Sequence, residues 1–190
     1  NRTLKNIGEK PVVYDTLMAN RSLNDLTTAM HNMGYMHATA EIKTKVRGKK
    51  IKAIYLLHPK DPYYINSVKY DIKDSVIAKL LVNKSMHYPF KPKLLSGSKF
   101  TVDVLDAERK NITNFLLDNG YYKFHKDYII YSADSARNSK DINIVLHLLP
   151  YRVTSSSPDT LHPCYTINKI NFLSGDTVKI HLRNSVLRYT

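Results

Sequence analysis

The sequence predicts an α+β fold in which one small unit is written twice, each copy reading strand, helix, helix, strand, strand. Three observations carry this. The octapeptide YYINSVKY (Tyr63 to Tyr70) returns about a hundred residues later as YTINKINF (Tyr165 to Phe172). The stretch MHNMGYMHATAEI (Met30 to Ile42) has a counterpart in LLDNGYYKFHKDY (Leu116 to Tyr128). In both, apolar residues at helical spacing run into Gly-Tyr and then into alternation.

The first predicted helix carries Leu23, Leu26, Met30 and Met33 at helical intervals, and Ser22 with Asp25 reads as its capping box. Gly34 falls where a helix commonly ends on a left-handed glycine. A hairpin follows. Ala38, Ala40, Ile42, Thr44 and Val46 share one face, and Glu41, Lys43, Lys45 and Arg47 share the other. Gly48 turns the chain. Ile51, Ala53, Tyr55 and Leu57 return on the inner face, with Lys50 and Lys52 outward. HPKDP (His58 to Pro62) is a short linker.

The second copy opens with the strand Tyr63 to Tyr70. A first helix is expected over about Lys73 to Val82, then a basic, proline-containing insert, HYPFKPKLLSGSK. A second helix is expected over about Val104 to Asn119, with Ile112, Phe115 and Leu116 on its apolar face. Gly120 takes the place of Gly34. The closing hairpin reads Phe124 to Tyr131, a polar loop, and Ile142 to Leu149. Because Ile129 and Tyr131 flank Ile130, the first of these strands is expected to be covered on both faces. A long linker, PYRVTSSSPDTLHP, precedes the repeated strand. The expected organisation is thus 1–61, a unit without its first strand; 62–150, a complete unit; and 163–190, the opening strand of a third. Truncation at both ends would account for the two gaps.

Composition bounds the function. The chain has 190 residues and 43% hydrophobic content, enough for packed cores. Its net charge of +13 favours polyanions: nucleic acid, anionic lipid or an acidic polymer. One cysteine, Cys164, excludes an internal disulfide and a multi-cysteine metal site. No apolar run approaches a membrane-spanning length, and NRTLKNIGEK lacks the apolar core of a signal peptide.

No residue set converges on bond chemistry. The eight histidines are scattered and form no metal-binding spacing. Cys164 has no base specified beside it and reads as a small packed side chain. Asp103, Asp106 and Glu108 are read as acids favouring the start of a helix. LLSGSK, with Gly97 alone, is no phosphate-cradling loop. Asp-Ser/Thr-aliphatic triplets at Asp15, Asp74, Asp134, Asp159 and Asp176 resemble a bacterial O-glycosylation pattern, but turns and helix starts use the same residues. No cofactor is called for.

The order of the unit, the helix ending in N-G-Y and its tandem recurrence resemble POTRA domains. These are the periplasmic modules of BamA/TamA-type outer-membrane assembly proteins. IGEKPVVYD (Ile7 to Asp15) resembles the start of a helix pair in the TamA-like surface-antigen group, and HLRNSVLRYT (His181 to Thr190) looks like the lead into a next module. No barrel strands are present, and the insert between Met86 and Lys99 is not required by the core unit.

The resemblance implies a three-stranded sheet on two helices and a periplasmic location as part of an outer-membrane protein. It implies as partners unfolded outer-membrane client polypeptides, accessory assembly proteins and the parent's own C-terminal barrel. The implied chemistry is backbone pairing at an exposed sheet edge. That edge is expected on the strand after Gly-Tyr, His37 to Val46 and Phe124 to Ser132, with Lys43, Thr44, Lys45, Phe124, Tyr128 and Ile130 as contact residues. Lysines on an edge also discourage pairing. Lys43, Lys45, Lys50 and Lys52 are candidates for contact with an anionic membrane surface. The alternative is a basic tandem domain binding nucleic acid. The apolar spacing of Tyr63, Ile65 and Tyr70 looks like core packing, not a base-stacking platform, so nucleic acid is not expected as the partner.

Overall fold

The computed structural model describes residues 12–135, 139–154 and 156–170, together with the backbone of 188–189. The segments Ile7 to Pro11 and His181 to Leu187, the end of the repeated octapeptide and the Asp176 triplet lie outside the described residues. The chain forms two compact units, 1–63 and 64–190.

The first unit holds helix α1 (Thr16–Asn32) and a hairpin of β1 (Thr39–Arg47) and β2 (Lys50–His58). Asp15 caps α1: its Oδ1 accepts from the amides of Leu17 and Met18. The capping box expected at Ser22 is therefore displaced by seven residues' worth of additional helix. Ser22 lies inside it and donates to the Met18 carbonyl instead. The hairpin pairs Ala40 with Leu57, Ile42 with Tyr55, Thr44 with Ala53 and Val46 with Ile51. The expected apolar face is thus real. α1 covers only its base, where Tyr55 Oη donates to the Ala19 carbonyl.

The second unit is β3 (Tyr64–Ile72), α2 (Ser75–Val82), α3 (Val102–Asp118), β4 (Ile129–Ser135) and β5 (Asp141–Leu148). The order in the sheet is β3-β5-β4, with β3 parallel and β4 antiparallel to β5. β5 alternates cleanly: Ile142, Ile144, Leu146 and Leu148 are buried against the helices. Leu146 and Leu148 meet Ile77 and Leu81 of α2 and Ile112 and Leu116 of α3 in one core. A short pair, β6 (Tyr165–Thr166) and β7 (Arg188–Tyr189), follows.

Three expectations change here. β4 starts at Ile129, because Lys126–Tyr128 winds into a 3₁₀ turn. Phe124 is buried in the core ahead of that turn and is not on the strand. β4 is covered on one face only: Ile129 is buried, whereas Ile130 is 42% exposed.

The repeat is physical. Helices α1 and α3 are both 17 residues long. Gly34 has φ +90° and Gly120 φ +89°. The amide of Tyr35 returns to the Met30 carbonyl, and that of Tyr121 to Leu116, both at 3.0 Å. With the bonds from Gly34 to His31 and from Gly120 to Leu117, each end is a Schellman cap. The Ala38 amide then meets the Tyr35 carbonyl, as that of Phe124 meets Tyr121. Each glycine carbonyl also accepts the first amide of the YxIN segment: Tyr63 on Gly34 at 2.9 Å, Tyr165 on Gly120 at 2.7 Å. The first residue of each octapeptide thus docks its amide on the same kind of helix end.

Candidate sheet-edge site

β4 is an edge strand among the described strands, and its hydrogen-bond phase can be read. The Leu149 amide donates to the Tyr128 carbonyl at 2.7 Å. In an antiparallel ladder, residues alternate between facing the partner and facing away. Ile130, Ser132 and Asp134 therefore turn their amides and carbonyls into β5. Tyr131 and Ala133 turn theirs to the open side. The Ile129 amide is used by the Lys126 carbonyl, closing the 3₁₀ turn.

The opposite edge is occupied along its first half. The Ile65 amide donates to the Ser98 carbonyl, and the Gly97 amide to the Ile65 carbonyl. Ser96 Oγ donates to the Asn66 carbonyl, and Tyr64 bridges Lys99. The insert thus ends as a cover on the first half of β3. Gly97, at φ +83°, makes the turn that brings it there.

The body of the insert is held by a buried carboxylate. Glu108, fully buried in α3, accepts the amides of Lys93 (2.6 Å) and Leu94 (3.1 Å) and the hydroxyl of Tyr70 (2.8 Å). Burial, reinforced by the Glu108 hydrogen bond, pushes the Tyr70 hydroxyl well above the usual phenol range. Of the three acids read as helix-start residues, only Asp103 lies in the first turn. Asp106 pairs with Lys110 at 2.7 Å, and that hydrogen bond lowers its carboxyl. Nothing in the spacing distinguishes Glu108 from its neighbours; the signal lies in the insert it anchors.

Sequence reasoning missed one further convergence. On the outer face of the sheet, Asp71 of β3, His147 of β5 and Ser132 of β4 form a row. His147 Nδ1 lies 2.8 Å from Asp71 Oδ2, and Nε2 lies 2.9 Å from Ser132 Oγ. The order matches that of nucleophilic triads. Acyl transfer also needs donors for an oxyanion. The Ser132 amide is turned into β5, and Asp71 is 54% exposed at its side chain. The row ties the three strands together on a wet face. Beside it, Asn143 Oδ1 accepts from Asn66 and Ser67.

The predicted contact residues are thus spread. Ile130 is on β4 but faces inward with its main chain. Tyr128 lies in the 3₁₀ turn, its ring against Phe124 and His125. Lys43, Thr44 and Lys45 are on β1. The two-residue turn at Gly48 makes Arg47 and Lys50 a hydrogen-bonded pair. By alternation, Thr44 faces away from β2 with its main chain, and Lys43 and Lys45 face it. Lys50 and Lys52 stand on β2.

Cys164 packs part-buried against the Gly120 turn, its Sγ 3.6 Å from the Asn119 carbonyl. Asp15 and Asp74 of the Asp-Ser/Thr triplets are helix caps. Among the described residues no group of three metal-ligating side chains occurs, and no helix is long and apolar enough to cross a membrane.

No family model matches the chain. No curated protein matches it either. Among solved structures, it is similar to BamA from Haemophilus ducreyi lacking POTRA domains 1-3, at 10% identity and a TM-score of 0.40, covering 77% of this chain and 25% of that one. It is similar to POTRA3-5 of Haemophilus influenzae BamA at 10% identity and TM-score 0.37, covering 77% and 53%. It is also similar to POTRA1-3 of the periplasmic domain of Omp85 from Anabaena, at 13% identity and TM-score 0.31, covering 73% and 52%. The chain therefore spans from a quarter to about half of the length of these structures.

Proposed function

We propose that this chain is a tandem POTRA-like segment of an outer-membrane protein assembly or translocation factor, lying in the periplasm. It receives extended client polypeptides, or a partner's strand, by β-augmentation. It does no bond chemistry of its own. Two modules, with the opening strand of a third at Tyr165, are the organisation this reading assigns.

The observation that carries it is the asymmetry of the second sheet. The first half of the β3 edge is bonded to residues 96–99. The edge of β4 presents the amides and carbonyls of Tyr131 and Ala133, and β4 pairs with β5 alone among the described strands. An added strand needs main-chain partners on alternate residues and little side-chain identity. The aromatic residues do not favour nucleic acid: Tyr70 and Tyr131 point into the core, their hydroxyls on Glu108 and the Leu105 carbonyl.

The test uses the phase. Ala133→Pro removes an outward amide and leaves the ladder intact. Binding of an extended peptide from an outer-membrane barrel strand should fall at least about tenfold, with the circular dichroism spectrum unchanged. Ile130→Pro removes an inward amide and should destabilise the sheet itself. If the folded Ala133→Pro protein binds such peptides as the parent does, this edge is not where they dock.

A further inference from the structure

The tip of the β1–β2 hairpin has two unlike faces, and neither is satisfied. On one, Lys45 stands directly opposite Lys52 and Arg47 opposite Lys50. Like charges facing one another across an antiparallel pair repel. The carboxylate on this face, Glu41, sits at the base, 3.5 Å from Lys43 and 3.6 Å from His58. None of Lys45, Arg47, Lys50 and Lys52 has an ion-pair partner among the described residues. On the other face, Val46 pairs with Ile51, 69% and 45% exposed. α1 does not reach them, since its contact with the hairpin is at the base, through Tyr55.

A two-stranded ribbon is marginal in water even without such defects. A partner that relieves both faces must offer dense negative charge and an apolar layer within a few ångströms of each other. We propose that the hairpin tip is an amphipathic anchor for an anionic phospholipid bilayer. Val46 and Ile51 face the acyl boundary, and the long stems of Lys45, Lys50, Lys52 and Arg47 carry their charges to the lipid phosphates. The turn suits this role, because Gly48 at φ +60° meets nothing within 4 Å of where a Cβ would be. The tip is a thin ribbon with open space around it. A nucleic acid would use the cationic face alone and leave Val46 and Ile51 in water.

The experiment is flotation of the whole chain with vesicles of phosphatidylcholine plus phosphatidylglycerol, and with phosphatidylcholine alone, at two salt levels. Binding is expected to the anionic vesicles only, and to weaken with salt. Lys45→Glu with Lys52→Glu should lower the partition by more than about tenfold, at about fivefold per cation lost. Val46→Ser with Ile51→Ser keeps every charge and should lower it by about tenfold. Both pairs are exposed, and the spectra of the variants should match the parent. The proposal is overturned if anionic vesicles are not bound. It is also overturned if the serine variant binds them as the parent does while single-stranded RNA competes, which would mark a general polyanion surface.

Discussion

Gly120 is the residue at which the second unit closes on itself. A Cβ there would lie 2.7 Å from the Tyr165 carbonyl oxygen and 3.0 Å from Cys164 Sγ, at a backbone angle that favours glycine. Gly120→Ala should therefore cost about 1–3 kcal/mol and release the Tyr165 amide. Gly97→Ala has the same sign of φ but open space, and should cost about 1 kcal/mol. Urea midpoints of the two variants decide whether crowding adds to backbone strain.

His162 supplies the pH dependence at the same end. It is buried among Phe124, Tyr128 and Tyr151, and its Nε2 donates to the Leu149 carbonyl at 2.8 Å. Burial holds it below the ordinary imidazole value of 6.5; the Leu149 bond and Asp74 oppose that, and His125 adds to it. As pH falls through that value, the unfolded chain takes up a proton before the folded chain does, so stability declines. His162→Gln keeps the donor and removes the titration. The loss of stability below about pH 6.5 should be smaller in that variant, as read from denaturant midpoints across pH.

At the scale of elements, Asp74 does more than Asp15. Both cap a helix with one carboxylate oxygen. Asp74 is buried, and its second oxygen accepts the His162 amide from the linker. Asp15→Ala should cost about 1 kcal/mol and Asp74→Ala about 2 kcal/mol or more; thermal midpoints compare them. Glu108→Ala strands two amides and a hydroxyl, and should cost about 3 kcal/mol. It should also free the insert, visible as rapid amide exchange at Lys93 and Leu94.

The elements also show what periodicity can and cannot reveal. The Schellman ends were legible because glycine before tyrosine after a helical stripe has one cheap conformation. The hairpin faces were legible because alternation has a period of two. The start of β4 was not: Phe124 and Tyr128 are as aromatic as strand residues, and only the core's demand for Phe124 makes the chain coil before it extends. The cap at Asp15 was missed because the first turn of α1 has little apolar pattern, with Leu17 79% exposed. The cover on β3 was illegible for a different reason. It depends on bonds between segments thirty residues apart, made by main-chain groups that every residue carries.

For the whole molecule, the chain divides into two compact units, and the buried core cluster, like Glu108, lies in the second. Equilibrium unfolding should show two transitions, and Glu108→Ala should move only one. The functional reading places specificity in the sheet's geometry: the first half of β3 is bonded over by residues 96–99, and β4 pairs with β5 alone among the described strands. The most direct measurement is residue-resolved amide exchange on the whole chain, with and without an extended peptide from an outer-membrane barrel strand. The account predicts new protection at Tyr131 and Ala133, with Ile130, Ser132 and β3 unchanged. Protection that appears elsewhere, or that fails to alternate along β4, would contradict it.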